Sequence, residues 1–402
     1  MTLTSRARLS GEAQLLLFTA GSTANHAVAR HTLDTGLDWK RLLALAEDEG
    51  ATPIAWRRLQ RFASGKLTQE VQTAWHRLAM VAEFRLLRLE HRLCEVVALL
   101  ASRGIDVMLL KGSALAYTVY ASFAERPMGD VDLLLRPERS REAWELLQMQ
   151  DWTWPADRWP EERYTAHQHL PPLVDRRGEG FRIELHTDLL AGGHPFHLNS
   201  AALWESGQKT DVHGRPVLVP DPLLSLLHAC IHFAWAHQME WGAWRAFRDV
   251  DLLTRASLDW RRFVILARAS RANTCCYWTL RLARNLVGAC VPDEVLHALR
   301  PRLPGAVLDI LERHYALQLF PGERRCPSVR IGQRLWEVGI APRSCGHGSV
   351  RPWDTSQEWI TPPLEKHGSD GWREELRRAV SHVASSVSYL CRMAGTALDS
   401  NT

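Results

Sequence analysis

Apolar residues recur at three- and four-residue spacing over residues 10 to 103, most clearly from Trp39 to Glu49, from Thr52 to Phe62 and from Glu70 to Ser102, and that period predicts helices. Gly50 and Gly104 stand where two of them should stop. The pattern then changes. Val107 to Leu110 is an unbroken apolar run of strand length, Ala114 to Tyr120 a short helix, and Asp130 to Leu135 a second strand after the break Arg126-Pro127-Met128-Gly129. Helical spacing returns from Pro137 to Gln150, followed by a Trp-rich irregular connection containing Pro155 and Pro160. Leu170 to Val174 and Phe181 to Leu185 predict a hairpin joined by a Gly-rich turn, and Val212 to Val219 a second, turning at His213-Gly214-Arg215.

Asp221-Pro222 is a good helix start, and helical patterns follow over Leu223 to His237, Ala243 to Arg255, Trp260 to Arg271, Thr274 to Ala289, Val291 to Leu299 and Ala306 to Leu319. Residues 320 to 370 hold much Pro and Gly and read as long loops with room for one short helix. Trp372, Leu376, Ala379, Val383, Val387 and Leu390 share one face of a terminal helix. A chain of 402 residues is long enough for two or three domains of roughly 100–200 residues each. The expected division is an N-terminal helical region (1–103), a mixed unit with the strands (104–220), and a C-terminal helical domain (221–402) carrying the loop-rich segment at about 320–370.

Composition narrows the class. Hydrophobic content of 46% with 23% charged residues fits a globular protein and excludes disorder. Forty-nine basic against 45 acidic residues leave a net charge of +4, without the excess of a dedicated duplex-DNA binder. No stretch approaches the ~20 apolar residues of a membrane span; the run from Leu15 to Ala20, which faintly imitates a signal peptide, is short and lacks a clean cleavage pattern. Eight Cys without a C-x-x-C spacing suit reduced thiols and a cytoplasmic location. The seventeen Trp read mainly as helix-packing residues.

The candidate chemistry sits at the first two strands. Lys111, Gly112 and Ser113 follow the strand; Gly112 lets a backbone approach a ligand closely, and Ser113 can cap the next helix with its hydroxyl and the free N–H groups aimed outward, an arrangement that binds anions. Lys111 is a candidate phosphate contact. The strand period of two puts Asp130 and Asp132 on one face, where they can share divalent cations.

The ordered set, a Gly-Ser turn after a strand, a helix and then Asp-Val-Asp on a second strand, resembles the core of the DNA polymerase beta type nucleotidyltransferase superfamily. More closely, Leu110-Lys111-Gly112, Arg126 four residues before Asp130, and the run from Asp130 to Leu134 resemble a bacterial family of uncharacterised nucleotidyltransferases. His169-Leu170-Pro171-Pro172, Glu184-Leu185-His186, His228, His232 and the Arg248-Asp249 pair extend the match over roughly residues 10 to 255. The resemblance implies an α+β fold with a small mixed sheet of the nucleotidyltransferase type and packed helices, and a third carboxylate on a later strand, at Glu184. It implies Mg²⁺ or Mn²⁺ on Asp130, Asp132 and Glu184 and an NTP as substrate. The expected acceptor is a hydroxyl or phosphate of a small molecule, peptide or protein, and the modest charge and lack of a long apolar run leave no membrane or nucleic acid among the expected partners. Thr187 stands where the closer family often has an aromatic residue, which leaves the acceptor pocket open.

Several residues admit two roles. Arg126 either holds the loop before Asp130 by pairing with a carboxylate or reaches the triphosphate; both use its fork of donors. His186, two residues after Glu184 on the same strand face, either supports the metal ligands or contacts the acceptor. His167 and His169 are spaced like a metal pair on a strand, but with no third ligand near them in sequence they read as pocket lining rather than a zinc site. His228, His232 and Asp249 either cap the nucleotide pocket or are satisfied in the interior. Transfer of a phosphoryl or sugar-phosphate group in a tailoring pathway uses the same residues. A non-catalytic nucleotide-binding scaffold is the remaining alternative, against which the intact Asp130, Asp132 and Glu184 argue.

Overall fold

The computed structural model describes residues 9–21, 26–34, 36–155, 161–178, 180–320, 329–342, 384–391 and 393–394. The expected terminal-helix positions Trp372, Leu376, Ala379 and Val383, and most of the expected loop segment, lie outside these.

The N-terminal helices are α1 (Gly11–Ala20), α2 (His26–Asp34), α3 (Trp39–Asp48), α4 (Thr52–Ala63) and the 34-residue α5 (Gln69–Ser102). Side-chain caps fix three of the starts. Ser10 accepts from the Ala13 N–H, Asp38 from Lys40 and Arg41, and Thr68 from Val71. The apolar run Leu15 to Ala20 lies within α1 and is packing surface, with Leu15, Leu16, Leu17 and Ala20 buried.

The middle of the chain runs β1 (Met108–Leu109), α6 (Lys111–Thr118), β2 (Asp130–Leu134), α7 (Pro137–Gln148), β3 (Trp152–Thr153), β4 (Leu173–Asp175), β5 (Arg182–His186), α8 (Ser200–Ser206), β6 (Gln208–Val212) and β7 (Arg215–Val219). They form one mixed sheet in the order β3-β4-β5-β2-β1-β7-β6, an α+β arrangement. β2 runs parallel to β5 and β1 parallel to β7; the other neighbours are antiparallel. Both expected hairpins form. β3 was not anticipated: it is a two-residue edge held by a tertiary contact, in which the Arg92 guanidinium lies 5.0 Å over the Trp152 ring and is bidentate to Asp175 of β4 at 3.0 and 3.1 Å. Nor was α8, a seven-residue helix opened by the Asn199 side chain.

C-terminal to the sheet come α9 (Pro222–Ile231), α10 (Ala243–Leu253), α11 (Trp260–Ala269), α12 (Asn273–Val287), α13 (Asp293–Leu299), α14 (Gly305–Gln318) and α15 (Val329–Ile340). The helix expected to run to His237 changes character instead, with His232–Ala236 wound as a π-helical turn.

Two cores organise these elements. One face of the sheet, with Val131, Leu133, Ile183 and Leu185, is covered by α7 and by the C-terminal half of α5 through Leu86, Leu89, Leu93, Val96 and Leu100. The other core crosses the expected N-terminal boundary: Leu16, Trp56 and Trp75 pack in one cluster with Trp244, Phe247 and Trp278. The helices on either side of the sheet in sequence therefore form a single body, and α5 reaches both cores. No helix among the described residues is long and apolar enough to cross a membrane.

Candidate active site

The turn after β1 is built on Leu110, extended at the start of α6, and on Lys111, whose φ of 47° is uncommon for a residue with a side chain. The Lys111 ammonium donates to Asp132 Oδ1 at 2.7 Å. The first intrahelical bond is that of the Ala114 N–H to Leu110 O, so the N–H groups of Lys111, Gly112 and Ser113 precede any carbonyl the helix can offer them.

Because the helix starts at Lys111 rather than Ala114, Ser113 sits inside its first turn, 1% exposed, with its hydroxyl donating to Leu110 O at 2.7 Å. The expectation of an outward-aimed cap hydroxyl is corrected accordingly. Gly112 does line the cavity, but the group that approaches it is a side chain. A Cβ there would lie 2.9 Å from Arg126 Nη1 and 3.2 Å from its Cζ. Arg126 takes the carboxylate-pairing option: Nε and Nη2 donate to the two Asp249 oxygens at 2.8 and 2.7 Å, and Nη1 to Pro127 O. The Tyr120 hydroxyl also donates to Asp249, at 2.6 Å. The turn of the sheet unit is thus clamped to α10.

The parallel register of β2 and β5 sets Asp130 opposite Arg182, Asp132 opposite Glu184 and Leu134 opposite His186. All six share one sheet face, since the intervening Val131, Leu133, Ile183 and Leu185 enter the core on the other. His186 Nε2 lies 2.9 Å from Asp132 Oδ1 and 3.5 Å from Glu184 Oε2, and its Nδ1 lies 3.2 Å from Asp188 O. An ionised carboxylate and a carbonyl can only accept, so both ring nitrogens donate. Burial disfavours the imidazolium, but its hydrogen bonds to Asp132 and Glu184 outweigh this and raise the pKa. For Asp132 burial is likewise overcome, here by the charge of Lys111 and the hydrogen bond from His186, and its pKa falls well below the usual range. Asp130 goes the other way: burial, then the charges of Asp132 and Glu184, push it up to about 6.

Ligand-capable atoms of Asp132, Glu184 and His186 all lie within 4.8 Å of one another. Asp130 is not in that group but lines the same cavity. His169 stands 3.7 Å from Glu184, its Nδ1 2.7 Å from Leu170 O, with its pKa lowered to about 4 by burial. The donor set, carboxylate oxygens of Asp132 and Glu184 with Asp130 on the same cavity wall, is compatible with a metal ion, for which hard oxygens suit a hard divalent cation.

The cavity holds about 550 Å³, and the helical body supplies its far wall. His228, His232 and Asp249, for which pocket lining and burial both stood open, line it, and burial keeps the two imidazoles neutral, His228 with a pKa of about 3. Sequence reasoning missed Arg182, His194, Trp241 and Arg245, which line it too. Trp241-Gly242 immediately before a helix was a readable signal for two of them, since Gly242 takes a φ of 71° at the start of α10.

A family model described as uncharacterised nucleotidyltransferase matches residues 35–288, from just before α3 to just past α12 and more than half of the chain. No curated protein and no solved structure matches the sequence.

Proposed function

Because the chain belongs to this uncharacterised nucleotidyltransferase family, we propose that it is a metal-dependent enzyme of the polymerase beta type, which moves a nucleotidyl group from an NTP to a hydroxyl or phosphate of a small-molecule, peptide or protein acceptor. The observation that carries the reading is the pairing of Asp132 with Glu184 across parallel strands, with Asp130 on the same face, in one cavity beside the uncapped start of α6. Asp130, Asp132 and Glu184 would hold Mg²⁺ or Mn²⁺, which supplies charge neutralisation to the transferring phosphoryl group and the leaving pyrophosphate.

The chain's own groups divide the remaining work. The N–H groups at the start of α6 and the Lys111 ammonium face the phosphates with positive potential. His186 orients Asp132 through its Nε2–H. Arg126, committed to Asp249, shapes the Gly112 turn rather than touching the substrate. Residues 104–220 form the catalytic unit in this reading, with helices from 1–103 and 221–402 closing it. We place the protein in the cytoplasm, in keeping with the free thiols of the described cysteines.

Incubation with each NTP, α- and γ-labelled in parallel, with Mg²⁺ or Mn²⁺ and candidate acceptors tests the reading. Transfer of the α-label supports it. Transfer of the γ-label alone would convert it to phosphoryl transfer, and turnover of neither label with any NTP would remove the enzymatic reading.

A further inference from the structure

Across the cavity from the carboxylates, Trp241 is the one exposed tryptophan among the described residues, at 48% of its surface. Its ring stacks on His237, with centroids 4.6 Å apart and planes at 20°, and His237 in turn packs on His232 at 4.4 Å. The three rings follow one another along the cavity wall, the first two stacked and the third tilted by 58° against His237. We propose that Trp241, backed by His237, is the platform on which the nucleobase of the substrate stacks, with Arg245 beside it for the phosphate chain; this rests on the reading of the cavity as a nucleotide site.

The backbone that holds the indole there is costly to form. The π-helical turn His232–Ala236 precedes it, and π-turns cluster at functional sites. Gln238 and Met239 then take φ of 51° and 60°, two successive left-handed residues with side chains, each unfavourable by roughly 1–2 kcal/mol. The surroundings impose this shape. Met239 is buried and its N–H donates to Phe233 O at 3.1 Å, while the Gly242 and Trp244 N–H groups donate to the buried Glu49 carboxylate at 3.2 and 2.9 Å. Burial of apolar surface would ordinarily draw an indole inward. Here a strained and firmly anchored loop presents its face to a cavity instead, which is what base stacking requires.

Arg245, one turn into α10, also lines the cavity, with the Glu49, Asp249 and Asp130 carboxylates near enough to act on its charge. A cation beside an aromatic platform matches a nucleotide's two chemistries, a π face and a polyanion.

Isothermal titration of the whole chain with each NTP and with inorganic tripolyphosphate, in Mg²⁺, tests the assignment. Trp241→Ala should weaken binding of the preferred NTP at least about fivefold, the lower end for a lost base–aromatic stack, and leave tripolyphosphate binding unchanged, with Trp241→Phe retaining most of the NTP affinity. Arg245→Met should weaken both ligands. If Trp241→Ala binds NTP as the parent does, the platform is wrong while the nucleotidyl reading stands. If the parent binds neither ligand, both fall together.

Discussion

Lys111 and His186 both donate to the same oxygen of Asp132, Oδ1, so this carboxylate balances two cations, the buried His186 and the half-buried Lys111, besides any role with metal. Asp132→Asn should therefore abolish turnover and also lower the unfolding free energy, by on the order of 3 kcal/mol, because it leaves charge buried without its partner. Glu184→Gln should separate binding from chemistry: a change of less than about fivefold in the NTP dissociation constant, with the single-turnover rate down at least about 10²-fold. Retention of more than a tenth of the activity in both Asp130→Asn and Asp132→Asn would rule out metal-dependent transfer at this site. The strand period was enough to put Asp130 and Asp132 on one face, and the resemblance supplied Glu184. Which oxygen each cation holds depends on the register of β2 against β5, strands about fifty residues apart, and no local pattern carries it.

The Gly112 turn illustrates the same limit for elements. A glycine after a strand was read as room for a ligand's approach, whereas the close neighbour is the Arg126 guanidinium, fixed by Asp249 of α10. Gly112→Val should push that guanidinium off its seat and loosen the join between sheet and helical body, lowering the melting temperature as well as NTP affinity. If affinity falls with no thermal change, the glycine serves the ligand directly. Ser113→Ala, which removes one hydroxyl bond to Leu110 O, should cost only about 1 kcal/mol of stability. Strands and hairpins were legible because one sheet face is buried and the period is strong. β3, α8 and the π-turn were not: the first depends on Arg92 and Trp152, the second is seven residues long, and the third interrupts a pattern whose apolar spacing continues through it.

For the molecule as a whole, burial holds His169, His194, His237 and His314 neutral with pKa values of about 4 and His228 at about 3. An unfolded chain protonates these rings near pH 6.5, so between that pH and about 4 the unfolded state binds more protons and stability falls as pH falls, by up to about 1.4 kcal/mol per unit for each fully buried ring. Below about 4 the rings titrating there are protonated in the folded protein too and their share of the loss levels off, while His228, lower still, and Asp132, whose carboxyl is held well below its usual range, carry the loss further down. Asp130, Glu49 and His186, with raised values, act in the opposite sense but are fewer. The urea midpoint should drop between pH 7 and pH 5; a midpoint constant over that range would contradict the buried neutral rings.

The carboxylate of Glu49 and the backbone it caps at Trp244 are 195 residues apart, and the helices between Leu9 and Ala63 share their core with helices that begin only after the sheet. On the ribosome, at roughly 5–20 residues per second, the first four helices would wait about 10–40 s for the surface that covers them. Their apolar faces stay open through that interval, and it is then that a trigger-type chaperone or a slowed translation rate would change the yield of folded protein.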